Sequence, residues 1–162
     1  MLTDIDLVHL RRCVELAREA LDAGDDPFGS VLVGPDGEPL REERNRAGAG
    51  DETRHPEFDL ARWAATEVPA ATRPGCTVYT SGEHCPMCAA AHAWVGLGRI
   101  VYAVSAVQLT GWRTGWGLPP GPVRVLPVEA VTTGIPVSGP ADELLEVMRE
   151  LHHRAALRRP TA

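Results

Sequence analysis

Apolar residues at three- and four-residue steps mark the beginning of the chain, where charged residues fill the opposite positions. The apolar positions are Leu7, Leu10, Val14, Ala17 and Leu21. This period is typical of an amphipathic helix. We expect the helix to begin at Thr3 or Asp4 and to end at Gly24. The same spacing returns near the end of the chain and predicts a closing helix with apolar positions at Leu144, Met148, Leu151 and Ala155.

Short apolar runs bounded by turn residues predict the strands. Residues 28–33 lead into the turn sequence GPDG at 34–37, and residues 39–45 are expected to return beside them as a hairpin. Three further runs predict strands at residues 77–80, 100–104 and 123–126. Residues 111–122 hold several glycines and prolines without a regular period, so no element is expected there.

Two inner helices are predicted where a proline lies one residue inside the start. One begins at His55-Pro56-Glu57 and continues to Ala64, and the other follows Cys85-Pro86-Met87-Cys88 and ends at Gly96. Helices and strands therefore alternate after an initial hairpin. That order favours an α/β fold, a three-layer α/β/α sandwich around a mixed sheet of about five strands.

Composition adds the size and the setting of this fold. The chain has 162 residues, 44% of them hydrophobic and 23% charged, which predicts one globular domain over residues 1–162. No apolar stretch reaches the length that a membrane span needs, and Asp4 and Asp6 stand where a signal peptide would be positive and then apolar. We therefore expect a cytoplasmic protein without a membrane partner.

The charged residues exclude several kinds of chemistry. All 16 basic residues are arginine, so Schiff-base catalysis and lysine-dependent phosphate binding are excluded. Twenty-two acidic residues give a net charge of −6. Because nucleic-acid affinity depends mostly on basic patches that release counterions, nucleic acid is an unfavourable partner for this chain.

Two short motifs, each at the start of an inner helix, carry the candidate chemistry. They are His55-x-Glu57 and Cys85-x-x-Cys88, with Cys85 placed 30 residues after His55. A helix N-terminus lowers thiol pKa values and favours the thiolates that a metal binds. One imidazole and two thiolates suit Zn²⁺, and three protein ligands leave a fourth position for water. Glu57 is close enough to carry a proton from that water to a leaving amine.

The cysteine motif by itself is open to two other interpretations. A structural zinc site in a non-catalytic assembly domain needs a fourth ligand, for which His84 and Cys76 are the candidates. A thiol redox enzyme would use both cysteines and leave His55 and Glu57 without a role. The two motifs together favour a catalytic zinc site over both alternatives.

These motifs resemble the signature of the zinc cytidine-deaminase-like superfamily, which is H-x-E followed by P-C-x-x-C. The resemblance runs from Pro27-Phe28-Gly29 to the strand ending at residue 104, and it includes Asn45 ten residues before His55. It implies a hydrolase that acts on amidine C–N bonds. It also implies one zinc ion per chain, with His55, Cys85 and Cys88 as ligands and Glu57 as the proton shuttle.

The resemblance also implies the substrate contacts. Asn45 is expected to hydrogen-bond the substrate, with fixing a turn as the alternative, and Phe28 to line the base pocket, with core packing as the alternative. Backbone amides around Glu83 are expected to hold the tetrahedral state. Trp94 either lines the site or fills the core. Trp112 either stacks on a planar base, as part of a lid, or pins an irregular loop or a subunit contact.

Three departures from the family pattern affect substrate recognition. His84 stands where the family usually has proline, and it either touches the substrate region or faces solvent at the helix start. Pro56, also a candidate pocket residue, replaces the usual alanine and has no N–H to donate to a ring carbonyl. No Asp or Glu occurs between Glu83 and Glu129, where the guanine deaminase branch uses a carboxylate to read the guanine amino group.

The sequence therefore predicts a zinc-dependent hydrolytic deaminase of a small nucleobase, nucleoside or related aminoheterocycle. Within the superfamily, Pro27-Phe28-Gly29, the Cys85 motif and Trp94 resemble the guanine deaminase branch most, and cytosine deaminases and tRNA adenosine deaminases are near relatives. A tRNA adenosine-to-inosine deaminase is the alternative function. The net acidity and the absence of lysine favour the small-molecule substrate, because tRNA binding needs a basic approach surface. By analogy with its relatives, the chain is expected to form a homodimer.

Overall fold

Five strands form one mixed sheet with helices on both faces, and this confirms the α/β/α fold class. The computed structural model describes residues 1–158, so residues 159–162 of the predicted domain lie outside the described residues. The strands are β1 (Gly29–Val33), β2 (Pro39–Arg44), β3 (Thr77–Gly82), β4 (Arg99–Val104) and β5 (Val137–Ser138). They lie in the order β2-β1-β3-β4-β5. β1 is antiparallel to β2 and β3, whereas β3, β4 and β5 are parallel.

Alternate strand residues pack against different helices and so define the two outer layers. The helices are α1 (Asp4–Asp22), α2 (Pro56–Glu67), α3 (Pro86–Val95), α4 (Ala106–Gly115), α5 (Val128–Val131) and α6 (Leu145–Arg158). Val31 and Tyr79 join the core cluster that contains the apolar faces of α1 and α6. Leu32 and Val78 point the other way and pack against α2.

The first helix has the start that its sequence predicts. The Thr3 hydroxyl accepts a hydrogen bond from the Asp6 N–H at 3.2 Å, and the Asp6 carboxylate accepts one from the Thr3 N–H at 2.9 Å. Asp6 also accepts from Arg99 at 2.8 Å and from the Tyr79 hydroxyl at 2.9 Å. Burial acts to raise the pKa of Asp6, but the hydrogen bonds from Arg99 and the other donors lower it to about 2. The network ties α1 to β3 and β4.

The predicted strand at residues 123–126 is wrong. Side chains in this segment are exposed, and the position beside β4 is taken by β5, whose Val137 lies opposite Ile100. Pro122 and Pro127 flank the segment, and proline cannot donate to a β-ladder. The fifth strand therefore comes from a later part of the chain than the sequence indicates.

The segment after β4 also contains a helix where no element is expected. In α4, the Ser105 hydroxyl accepts from the Gln108 N–H at 3.1 Å, and the Gln108 side chain accepts from the Ser105 N–H at 2.9 Å. This capping box is a recognisable helix-start signal in the sequence. The glycines and tryptophans that follow it concealed the signal.

One edge of the sheet is placed to carry a functional site. Gly29 at the start of β1 lies opposite Arg44 at the end of β2, and Gly82 at the end of β3 lies opposite Val104 at the end of β4. α3 begins directly after this edge. Within residues 1–158, no helix has both the length and the apolar composition of a membrane span.

Candidate active site

The three predicted metal ligands converge at the N-terminal ends of α2 and α3. The His55 Nδ1 atom lies 3.6 Å from the sulfur of Cys85 and 3.6 Å from that of Cys88, and the two sulfurs are 3.5 Å apart. All three donor atoms lie within 4.8 Å of one another. The structure therefore brings together one imidazole and two thiols from motifs 30 residues apart.

Local backbone geometry explains why two helix starts can supply these ligands. His55 and Cys85 are the N-cap residues of α2 and α3, and both have extended backbone conformations. Pro56 and Pro86 then occupy the first helical positions, where a backbone N–H would have no partner within the helix, so proline costs no hydrogen bond there. The ligands therefore project from fixed, non-helical positions at the same edge of the sheet.

The donor set fits a zinc ion. The hydrogen bond with Cys88 lowers the pKa of Cys85 to about 4, with a further contribution from His55 and against the opposing effect of burial. Cys85 in turn raises the pKa of His55 to about 9. A thiolate beside an imidazole can bind a divalent cation, and the imidazole proton is released when the cation binds. One nitrogen and two sulfurs suit zinc better than harder ions.

Glu57 lies beside this group as a buried carboxyl. It is 5% exposed, and its Oε2 atom is 3.7 Å from the Cys88 sulfur. Burial raises the pKa of Glu57, although the charge of His55 opposes the effect. A raised pKa lies closer to the operating pH, where a general base must both accept a proton and return it.

A pair of hydroxyls that sequence reasoning missed orients Glu57. The Thr80 hydroxyl donates to the Glu57 Oε1 atom at 2.7 Å, and the Ser30 hydroxyl donates to Thr80 at 2.9 Å. Both hydroxyls are fully buried on neighbouring strands. The sequence signal was present, because polar residues inside apolar strand runs need partners when they are buried.

Asn45 and Phe28 are neighbours at the same sheet edge. The Asn45 N–H donates to the Phe28 carbonyl, and the Asn45 side-chain oxygen accepts from the Ala47 N–H, each at 2.9 Å. The amide oxygen of Asn45 therefore fixes a turn. Phe28 packs so closely on Gly82 that a Cβ added there would lie 2.9 Å from the ring. This contact places Phe28 against the turn that leads to Cys85.

Glu83 holds the helices next to the site rather than projecting freely into it. Its two carboxylate oxygens accept hydrogen bonds from the backbone N–H groups of Ala106, at 2.8 Å, and Val128, at 2.9 Å. Its own N–H donates to the Val104 carbonyl at 2.8 Å. These bonds join the turn before Cys85 to the starts of α4 and α5.

The structure overturns one alternative for each of the two candidate tryptophans. Trp94 is 90% exposed, so its predicted core alternative is wrong. The buried positions of α3 are Cys88, Ala89 and His92, and Trp94 lies outside that face. Trp112 is half-buried on α4 and packs against the core cluster of α1 and α6. It therefore belongs to a helix and not to an irregular loop.

His84 is 1% exposed, so the expectation that it faces solvent is wrong. Its ring meets that of His92 edge-to-face, with centroids 5.3 Å apart, and no described residue is a hydrogen-bond partner of either His84 ring nitrogen. Burial and the nearby His92 lower the pKa of His84 well below its ordinary value.

A closed structural metal site does not form among the described residues. The cluster of metal-binding donors found within residues 1–158 contains His55, Cys85 and Cys88 and no fourth ligand. Cys76 precedes β3, at the opposite end of that strand from the site, and its thiol contacts the Thr72 carbonyl at 3.7 Å. The geometry therefore supports three protein ligands, the number typical of catalytic zinc.

Comparisons with known proteins agree with this geometry. Residues 3–104 match the family model described as the cytidine and deoxycytidylate deaminase zinc-binding region. Over 111 residues, 67% of this chain, the sequence is 34% identical to a probable cytosine deaminase of Schizosaccharomyces pombe. Over 96 residues, 58% of this chain, it is 38% identical to a guanine deaminase of Bacillus subtilis. The matched segments span 65% and 61% of these relatives' own lengths.

A solved structure shows the same fold over a larger part of the chain. It is that of a guanine deaminase from Nitrosomonas europaea, and the similarity has a TM-score of 0.65. The superposition covers 94% of this chain and 86% of that one. Because the two sequences are only 23% identical, this likeness concerns the architecture alone.

Proposed function

Because the chain belongs to the cytidine and deoxycytidylate deaminase zinc-binding family, we propose that it is a zinc-dependent hydrolytic deaminase of a small nucleobase, nucleoside or related aminoheterocycle. The observation that carries this proposal is the convergence of His55, Cys85 and Cys88 beside a buried glutamate. One zinc ion per chain is proposed at these three residues. The family and the donor set support hydrolysis of a C–N bond, and the choice of substrate is part of the proposal.

Glu57 would perform the proton transfers of the reaction. Zinc held by His55, Cys85 and Cys88 supplies Lewis-acid activation of water. Glu57 accepts one proton as the water oxygen bonds to the ring carbon, and it gives that proton to the amino group. The C–N bond then breaks and ammonia leaves. The position of Glu57 beside Cys88 supports this role, since its carboxyl faces the donor cluster.

The substrate contacts are proposed from the residues at the same edge. The Asn45 amide nitrogen is proposed as a hydrogen-bond donor to the base, because its oxygen already accepts from Ala47. Phe28 is proposed as a pocket wall on the basis of its contact with Gly82. Pro56 is buried at the start of α2 and has no N–H, so a ring carbonyl facing it must find a donor elsewhere.

A substrate panel tests the proposed function. The purified zinc-loaded chain is assayed for ammonia release from guanine, adenine, cytosine, their nucleosides and aminotriazines, and for inosine formation in tRNA. We expect activity on at least one small substrate and none on tRNA. Activity confined to tRNA would replace the small-molecule proposal by the tRNA deaminase. Absence of all activity in a fully zinc-loaded sample would contradict deamination.

Thr80→Val is expected to lower kcat about 10- to 100-fold and to leave KM and zinc content unchanged. Valine keeps the shape of Thr80 but removes the hydrogen bond to Glu57, and such a bond to a charged group contributes about 1.5–3 kcal/mol. Steady-state kinetics and metal analysis measure the three quantities. Thr80→Ser should restore most of kcat, and Thr110→Val, which removes an exposed hydroxyl on α4, is the matched control. A change in KM alone would contradict an orienting role.

Self-association is proposed through the exposed face of α3. Trp94 is 90% exposed on the helix that carries both cysteines, and Met87 and Ala91 on the same helix are only half-buried. An exposed tryptophan beside further apolar surface favours a protein contact. Light scattering should show a dimer that Trp94→Ser weakens at least tenfold, whereas Leu157→Ser, at another exposed apolar residue, leaves it intact. A monomeric chain would contradict the proposal.

A further inference from the structure

One arginine joins the two helices that carry the candidate zinc ligands, at the ends remote from those ligands. The Arg73 guanidinium donates hydrogen bonds to the carbonyls of Ala65 and Val68, each at 2.8 Å, and to the carbonyl of Val95 at 3.3 Å. Ala65 lies in the last turn of α2, Val68 directly follows that helix, and Val95 is the last residue of α3. Carbonyls at a helix C-terminus have no partner within the helix, so Arg73 satisfies groups of both helices at once.

The turn that carries Arg73 is held in place by a close backbone contact. It is a 3₁₀ turn, Arg73–Gly75, which leads into β3. A Cβ added at Gly98, in the turn after α3, would lie 2.6 Å from the Cys76 carbonyl oxygen and would also collide with Pro74. The two turns therefore touch through their backbones, and Arg73 reaches both helices from a fixed position.

Between Arg73 and the donor cluster, α2 and α3 meet through apolar side chains. Leu60, Ala61 and Ala64 of α2 belong to one core cluster, against which Ala91 and Val95 of α3 pack. Apolar burial is not directional, so this contact constrains the tilt and shift of one helix against the other less than hydrogen bonds do. The planar guanidinium adds directional bonds at the far end.

The lengths of the two helices connect this link to the metal ligands. His55 and Cys85 are the N-cap residues of α2 and α3, which have 12 and 10 residues. At the usual rise per residue, the helices are about 18 and 15 Å long, so a tilt of about 3° that pivots at the C-terminal end moves the N-terminal end by about 1 Å. Metal–ligand distances vary by only about 0.2 Å, so a displacement of this size is enough to weaken metal binding.

We propose that Arg73 is a positioning residue for the donor cluster: by joining the C-terminal ends of α2 and α3, it fixes the relative placement of His55 and Cys85 at the opposite ends. This inference rests on the proposed zinc-dependent function. It gives metal affinity a determinant at the end of the two helices that is remote from the donor atoms.

Cobalt binding by the metal-free chain tests the inference. Co²⁺ is titrated against a competing chelator well below the melting temperature, and the sulfur-to-metal absorption measures occupancy. Arg73→Met keeps an unbranched apolar stem but removes every donor, and it should weaken Co²⁺ binding about tenfold, the lower end of the range for residues that support metal ligands. Global destabilisation would not give this result, because the apparent dissociation constant changes only when a substantial fraction of the chain is unfolded.

Arg99 provides the matched control. Its guanidinium donates to both carboxylate oxygens of Asp6, at 2.8 and 3.0 Å, and to the Ser138 hydroxyl at 3.1 Å, so it joins α1, β4 and β5 instead of α2 and α3. Arg99→Met should destabilise the fold, because the buried Asp6 carboxylate loses its cation, and yet keep the Co²⁺ dissociation constant of the parent chain. An unchanged dissociation constant in Arg73→Met, or equal weakening in both variants, overturns the inference.

Arg73→Lys separates the hydrogen-bonded link from an effect of charge. Lysine keeps a positive charge near two helix C-termini, where it interacts favourably with both helix dipoles. Its one ammonium nitrogen does not replace the three nitrogens of a planar guanidinium that reach different carbonyls. Arg73→Lys should therefore bind Co²⁺ as weakly as Arg73→Met does. Binding as tight as in the parent chain would assign the effect to charge and overturn the inference.

Hydrogen exchange in the parent chain covers the case in which both position-73 variants fail to fold. Coupling between two sites is reciprocal, so a link that tightens metal binding is itself tightened by the metal. NMR should show that the Arg73 Nε–H exchanges with solvent about tenfold more slowly in the zinc-loaded chain than in the metal-free chain, with a smaller change at the Arg99 guanidinium. Equal rates in the two states, or the same change at both arginines, overturn the inference.

Failure of the proposed function would look different from failure of this inference. The parent chain itself would then show no sulfur-to-metal absorption with Co²⁺, or would release no ammonia from any base when loaded with zinc. If only the role of Arg73 is wrong, the parent chain and Arg73→Met bind Co²⁺ equally well.

Discussion

Glu57→Gln is expected to lower kcat by about a hundredfold to ten-thousandfold while zinc stays bound at one ion per chain. The amide keeps the size of the side chain and a hydrogen-bond acceptor for Thr80, but it cannot take up a proton. General acid–base catalysis contributes a factor of about 10²–10⁴, and this substitution removes it. Ammonia release measures the loss, and mass-spectrometric metal analysis of the same sample measures zinc.

The control for this prediction is an acidic residue near the donor cluster that does not share the burial of Glu57. Glu52 is exposed, and its negative charge contributes to the raised pKa of His55. Glu52→Gln should keep kcat within a few-fold of the parent chain. If Glu57→Gln loses its zinc, the carboxyl is a metal ligand and the proton-transfer role is wrong.

Cys88→Ser is expected to remove zinc and all measurable turnover. Cys88 supplies one of three donor atoms, and its buried thiol lies 3.5 Å from the Cys85 sulfur. Removing a hydrogen-bond partner of a metal ligand commonly weakens metal binding about 10–100-fold. Removing a ligand itself should therefore weaken zinc binding by more than that. The zinc-to-protein ratio after dialysis should fall from one to near zero. When cobalt replaces zinc, the sulfur-to-metal charge-transfer absorption should be much weaker in Cys88→Ser than in the parent chain.

The chain contains its own control for the loss of a thiol. Cys76 is buried before β3 and lies outside the donor cluster, so Cys76→Ser should keep the zinc ratio and the cobalt spectrum. If Cys88→Ser keeps full zinc content, the metal is bound elsewhere and the proposed centre is wrong. Equal zinc loss in both variants would indicate a folding effect and would also contradict the assignment.

Local signals explain which elements could be predicted from the sequence. The first helix carries both an apolar period and a capping pair at Thr3 and Asp6, and the structure has both. The hairpin and the two proline-started helices also depend on residues close together in the chain. β5 could not be found in this way, because its two residues form a strand only through pairing with Ile100 and Val101. Such pairing is set by tertiary structure.

The candidate site divides along similar lines. The motifs carried by His55 and Cys85 predicted a donor cluster, and the structure brings the cluster together. The hydroxyls of Ser30 and Thr80 were missed because a strand pattern does not show which polar residue meets a carboxyl across the sheet. His84 was misplaced because its burial follows from packing against His92, a contact that no local spacing encodes.

The position of α6 relative to the residues of the family match has a consequence for how chains of this family can differ. The donor cluster and Glu57 lie within residues 3–104, whereas α6 lies outside that match. We therefore expect exchange of the C-terminal segment between homologues to leave the donor cluster and Glu57 in place. Chimaeras joined after β4 should then bind zinc as the parent that supplies residues 1–104 does.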